Sequence, residues 1–131
     1  MGEAARVCLC IDLRSFYATV EAVDRGLDPM EARLVVADPD RSANTICLAV
    51  SPRVKAEGVR NRCRMAEVPR GRGVVVARPR MARYLEASCE VVACLLEHVS
   101  ADDVHVYSVD ESFIEIGPYL PYYGLTPRAM A

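Results

Sequence analysis

At 131 residues, 52% of them hydrophobic, the chain is long enough to bury a real core, roughly 65% of its unfolded surface. No apolar run approaches the about 20 residues of a membrane span, and the opening Met-Gly-Glu-Ala-Ala-Arg lacks the order of a secretory leader, so a cytoplasmic domain with no membrane partner is expected. The net charge of −2 hides a polarity: residues 53–83 hold ten basic side chains against Glu57 and Glu67, flanked on both sides by net-acidic segments.

In chain order, Arg6-Val7-Cys8-Leu9-Cys10-Ile11 is a nearly continuous apolar run, which predicts a strand buried on both faces. It closes on Asp12, and an acidic residue ending a core strand is costly unless something pairs with it. Ser15 to Arg25 reads as a helix stopped by Gly26. Leu34–Ala37 is a short buried strand ended by the turn Asp38-Pro39-Asp40, and Thr45–Val50 is a second. Ser51-Pro52 then supplies an N-cap and a first-turn proline, placing Lys55 on a short helix stopped by Gly58.

Arg70-Gly71-Arg72-Gly73 reads as a connector into a strand at Val74–Ala77. Met81–Val99 carries Tyr84, Ala87, Val91, Leu95 and Val99 at helical spacing. Val104–Val109 and Phe113–Ile116 predict a hairpin. Thr126-Pro127 has the form of another helix start, with the sequence stopping within about one turn of it. The six cysteines show no Cys-x-x-Cys, and His98 and His105 lack metal-ligand spacing. The cysteines are therefore read as small buried hydrophobes.

Chemistry concentrates at Ser108-Val109-Asp110-Glu111-Ser112. Neighbouring strand residues point to opposite faces, but they converge where a strand ends or turns. Two crowded carboxylates repel unless a cation lies between them, and Mg²⁺ is the natural guest of hard oxygen ligands. Asp12, Asp110 and Glu111 could hold one or two such ions for phosphoryl transfer. Spacing alone leaves that reading and a solvated acidic turn both open.

Three motifs carry a resemblance. Cys10-Ile-Asp12-Leu-Arg-Ser-Phe16-Tyr17-Ala-Thr-Val-Glu21 resembles the first motif of the Y-family, translesion DNA polymerases, and Tyr107-Ser-Val-Asp110-Glu111-Ser-Phe-Ile-Glu115 their second. Between them, Ser51-Pro52-Arg-Val-Lys55-Ala-Glu-Gly58 resembles the fingers motif of the branch similar to the catalytic subunit of bacterial polymerase V. The resemblance covers essentially the whole chain. It implies Asp12, Asp110 and Glu111 as catalytic, metal-binding carboxylates, with the Leu13 carbonyl as a further ligand of two Mg²⁺. It also implies that Phe16 and Tyr17 line the nucleotide pocket, Tyr17 as the steric gate against a ribose 2′-hydroxyl, and that Lys55 meets the triphosphate. Two departures stand out: Arg14 occupies a position where many members carry a second Asp, and Pro52 one where many place a phosphate-contacting Tyr.

The expected fold is α+β: a polymerase palm, a mixed or antiparallel sheet with packing helices, formed by 1–15 and 79–131, with a fingers lobe inserted at 16–78. The implied function is template-directed, two-metal nucleotidyl transfer past lesions in DNA damage tolerance, on a DNA primer-template and a deoxynucleoside triphosphate. Such polymerases are longer. The chain is therefore expected to be the N-terminal portion of one and not to synthesise DNA by itself, while sliding-clamp or recombinase-type partners would engage parts beyond it. Two other readings remain: a non-catalytic DNA- or protein-binding module using the arginine-rich segment, and a stand-alone metal-dependent nucleotide phosphohydrolase or cyclase-like palm.

Overall fold

Alternating side chains, rather than a uniformly apolar run, build the first sheet. The computed structural model describes residues 6–69 and 73–131, which form two units: the chain through Leu13 together with Leu85–Ala131, and Arg14–Tyr84. In the first unit, β1 (Cys8–Asp12) presents half-buried Leu9 and Ile11 on one face and exposed Cys8, Cys10 and Asp12 on the other. The expectation of a strand buried on both faces is thus corrected: among the described residues only one face packs. β5 (Val104–Val106) and β6 (Glu111–Glu115) form the expected hairpin, and β6 lies between β5 and β1 in an all-antiparallel sheet.

Ile114 and Ile116 point inward with Val99, and Leu9, Ile11, Leu95, Leu120 and Met130 pack around them. Burying each isoleucine is worth about 1.5–3 kcal/mol. Helix α3 (Met81–Leu96) presents Tyr84, Ala87 and Ser88 as buried residues at the helical spacing its apolar pattern predicts. It ends three residues early because Glu97 N–H bonds back to Cys94 (3.2 Å) and His98 N–H to Leu95 (3.0 Å), tightening the last turn.

Two short helices follow the sheet. α4 (Tyr119–Tyr123) was not foreseen, because Pro121 lies inside it; α5 (Pro127–Met130) was, with Thr126 Oγ1 capping Ala129 N–H at 3.2 Å.

The second unit contains α1 (Phe16–Asp24), β2 (Leu34–Val36), β3 (Ala49–Val50), α2 (Pro52–Ala56) and β4 (Val75–Ala77). β2 is central, antiparallel to β3 and parallel to β4. The expected strand at 45–50 is only partly realised. Ala49 and Val50 pair with β2, but Thr45–Cys47 turn to a different partner, with Met65 N–H on Thr45 (2.9 Å) and Cys47 N–H on Cys63 (2.7 Å). One extended run therefore serves two neighbours.

Val35, Ala37, Cys47, Val50, Val54, Cys63 and Met65 form the core beneath. Burial pushes the Cys47 thiol up to about 12, with Cys63 and Glu67 adding to the effect. Cys47 and Cys63 bear out the reading as small buried hydrophobes; Cys8, Cys10, Cys89 and Cys94 are exposed and correct it. The connector expected at 70–73 lies, except for Gly73, outside the described residues.

Candidate functional site

Register decides which carboxylates meet. Asp12, the last residue of β1, stands directly opposite Glu111, the first of β6. Directly opposed residues of an antiparallel pair share a face with Cβ atoms about 5 Å apart, and like charges there are destabilising. Asp110 precedes the strand, in a bend at 108–110, so the alternation that would send it to the far face does not apply. Its carbonyl accepts the Leu13 N–H at 2.8 Å, joining the bend to the residue after Asp12. The bend is further closed by Tyr107 and Ser108 N–H groups on the Glu111 carbonyl (3.0 and 3.1 Å). Ser88 of α3 donates to the Val109 carbonyl at 2.5 Å.

The three acids have no basic partner: among the described residues no ion pair includes Asp12, Asp110 or Glu111. Asp110 is half-buried and accepts from the Ser108 hydroxyl at 3.0 Å; Glu111 accepts from the Cys10 thiol at 3.5 Å. Desolvation, that hydrogen bond, and the charges of Glu111 and Asp12 hold the Cys10 thiol above its ordinary pKa. Three uncompensated carboxylates at the open end of a strand pair are a hard oxygen donor set, and the residues present fit a Mg²⁺ requirement. Their oxygens do not all lie within 4.8 Å of one another, so a shared ion would require the side chains to draw together.

The other candidates lie in the second unit. Phe16 and Tyr17 open α1. Phe16 is a core side chain, 8% exposed, whereas Tyr17 is half-buried and stacks on Tyr84 with centroids 4.5 Å apart and rings 14° from parallel. The helix starts from Ser15 in a left-handed conformation (φ 50°) rather than from a side-chain cap, which the sequence did not reveal. Lys55 sits on α2, half-buried and in no ion pair among the described residues. That helix is anchored as its Ser-Pro start predicts. Ser51, fully buried, accepts from Leu34 N–H (3.1 Å) and Val54 N–H (3.5 Å) and donates to the Ala32 carbonyl (2.7 Å). Asp12, Leu13, Asp110 and Glu111 thus belong to one unit, and Phe16, Tyr17 and Lys55 to the other.

Sequence reasoning missed two clusters. Glu21, fully buried on α1, accepts from Arg80 (2.8 and 3.0 Å), from Tyr84 (2.8 Å) and from Arg25; Asp24 accepts from Arg80 and Arg83. Burial pushes the Glu21 carboxyl up, but the Arg80, Arg25 and Tyr84 donors outweigh it and leave its pKa below the ordinary value. Hydrogen bonds from Arg83 and Arg80 bring Asp24 down to about 2. Arg78 pairs with Asp40 and Asp38. Part of the basic stretch is therefore engaged in ion pairs within the fold, leaving Arg53, Lys55, Arg60, Arg62 and Arg64 without an ion pair among the described residues. The second cluster is Cys94, Glu97 and His98, whose ligand atoms all lie within 4.8 Å of one another. It corrects the reading that neither histidine has a ligand spacing: Cys94 and His98 stand one helical turn apart, a signal visible in the sequence.

This combination of antiparallel carboxylate hairpin and small mixed sheet is the fold of Y-family DNA polymerases. A Y-family polymerase chimera, Dbh-Dpo4(243-245)-Dbh, matches with a TM-score of 0.73 at 19% identity, over 87% of this chain and 33% of that one. A Dbh ternary complex gives 0.72 over the same share of this chain. Residues 11–130 match the impB/mucB/samB family, and the chain belongs to it.

Its relatives in Bacillus subtilis (strain 168) include the putative UV-damage repair protein UvrX, 37% identical over 83% of this chain and 26% of that protein. The DNA repair protein homolog YozK is 36% identical over 78% of this chain and 90% of its own length. DNA polymerase IV 2 is 35% identical over 96% of this chain and 30% of its own. The chain thus spans about a quarter to a third of UvrX and DNA polymerase IV 2. No helix among the described residues is long and apolar enough to cross a membrane.

Proposed function

We propose that the chain contributes the catalytic carboxylates and the nucleotide-contacting lobe of a cytoplasmic, error-prone translesion DNA polymerase. The observation that carries this reading is the opposition of Asp12 and Glu111 beside Asp110, with no basic side chain paired to any of the three among the described residues. Asp12, Asp110, Glu111 and the Leu13 carbonyl would hold Mg²⁺, which supplies charge neutralisation and in-line activation for nucleotidyl transfer. The unit through Leu13 with Leu85–Ala131 is then the palm, and Arg14–Tyr84 the fingers.

The chain's own residues prepare the reaction. The Leu13 to Asp110 backbone bond and the Ser88 contact to Val109 hold the acidic bend against the end of β1. Tyr17, braced by its stack on Tyr84, presents a flat, rigid ring suited to rejecting a 2′-hydroxyl. Lys55 offers positive charge for a triphosphate, which stabilises negative charge developing in the transition state. Pro52 lacks an N–H, so Lys55 and its arginine neighbours carry that task. Those unpaired arginines favour a polyanionic partner, a DNA primer-template.

Calorimetry of dATP and ATP binding, with and without Mg²⁺, tests the reading on the wild type and on Asp110→Asn. Binding that needs Mg²⁺, prefers the deoxy sugar and is lost in Asp110→Asn is the expected outcome. Equal, Mg²⁺-independent binding of both nucleotides would transfer the weight to a non-catalytic arginine-rich surface. Alone, the chain is expected to give no primer extension.

A further inference from the structure

The geometry points to a second metal site, of a different chemical class, at the C-terminal end of α3: Cys94, Glu97 and His98 form a three-ligand site for Zn²⁺. The ligand atoms of all three lie within 4.8 Å of one another, and all three residues are exposed, so an ion can enter without being stripped of water in a core. Spaced i, i+3 and i+4, they bracket the turn by which the chain leaves α3 after Leu96. That turn is held by Glu97 N–H on the Cys94 carbonyl (3.2 Å) and His98 N–H on Leu95 (3.0 Å). From outside the helix, the Tyr123 hydroxyl donates to the His98 carbonyl at 2.7 Å and fixes the turn against α4.

The position is favourable for a cation on other grounds as well. The last carbonyls of a 16-residue helix carry the negative end of its dipole. Thiolate, imidazole and carboxylate together make a borderline-soft donor set that selects Zn²⁺ over Mg²⁺, whereas Asp12, Asp110 and Glu111 are oxygen donors only. On binding, the Cys94 thiol gives its proton to solvent and the imidazole donates a ring-nitrogen lone pair. Three protein ligands leave the fourth tetrahedral position to water or to a donor from another molecule.

The site is tested by titrating the full 131-residue chain with Co²⁺, a coloured stand-in for Zn²⁺. One equivalent should give a sulfur-to-cobalt charge-transfer band, bleached by Zn²⁺ and untouched by excess Mg²⁺. Cys94→Ser should abolish the band, and His98→Ala and Glu97→Gln should each weaken binding about tenfold or more, the scale on which metal sites respond to loss of a contact. Cys10→Ser and Cys89→Ser should leave it intact. Zn²⁺ should also raise the unfolding temperature of the wild type but not of Cys94→Ser. Absence of the band, its survival in Cys94→Ser, or its loss in Cys10→Ser would each overturn the assignment. The first and second of these would leave the carboxylate site at Asp12 untouched, so the two readings fail separately.

Discussion

Two groups of carboxylates in this chain have opposite circumstances. Glu21 is fully buried yet satisfied by Arg80, Arg25 and Tyr84, with Asp24 held beside it by Arg80 and Arg83. Asp12, Asp110 and Glu111 have one exposed and two half-buried members, and their hydrogen-bond partners are a serine, a thiol and backbone. A buried acid supplied with internal cations belongs to architecture. Accessible acids set opposite one another without a cation store repulsion that an incoming ion relieves. Burial alone would have ranked Glu21 as the functional group, but counting the cations each acid already owns reverses that order.

The largest effect expected from breaking this contrast is in the buried group. Arg80→Ala removes the two-pronged contact to Glu21 and one to Asp24, leaving a buried carboxylate under-compensated. Because the Arg80 side chain is itself 45% exposed and Arg25 and Tyr84 remain, the loss falls short of that for a fully buried pair but exceeds that of the single hydrogen bond deleted in Tyr84→Phe. A fall in the urea midpoint at unchanged slope would show it; a change under about 0.5 kcal/mol would mean Glu21 resolvates freely, as surface sites do. Tyr84→Phe is milder. It keeps the ring that stacks on Tyr17 but deletes the 2.8 Å donor to Glu21, at about 1.5 kcal/mol for a hydrogen bond to a charged group.

Much of this was legible beforehand, and the failures share a cause. The helix starts at Ser51-Pro52 and Thr126-Pro127 and the periodic face of α3 follow from local rules, while the pairing of the first strand with the 104–116 hairpin came with the family resemblance. What could not be read were partnerships between residues distant in sequence. Arg80 and Arg83 counted as free positive charge until Glu21 and Asp24, more than fifty positions earlier, were seen to claim them. Thr45–Cys47 looked like continuous strand until the 63–65 segment intercepted it. At the candidate site, the adjacency of Asp110 and Glu111 was evident from the start. The register that sets Glu111 against Asp12, and the bend that takes Asp110 off the strand, needed the fold.

Acid titration sharpens the comparison from the other side. The folded pKa of Asp24 is depressed to about 2 from 3.8, so its contribution is present above pH 3.8 and is lost as pH falls toward about 2. Stability of the wild type should decline through that window, and Asp24→Asn should flatten the decline there while lowering stability at neutral pH. An unchanged acid limb in the variant would show that Arg80 and Arg83 do not hold Asp24 in solution.

The smallest effect has the opposite sign and separates the two groups most cleanly. Asp12→Asn removes one of two like charges that face each other across β1 and β6, so in the absence of divalent ions it should stabilise the chain, by about 0.5 kcal/mol. Glu111→Gln should do the same, and the double variant should gain little more, because either single change already abolishes the pairwise repulsion. With saturating Mg²⁺ the order inverts: the wild type gains stability by mass action and the variants do not. Thermal unfolding with chelator and with Mg²⁺ reads both states in one experiment. If Asp12→Asn destabilises without metal, the Asp12 carboxylate is held by groups inside the fold, as Glu21 is, and the case for an ion at the hairpin loses its physical basis.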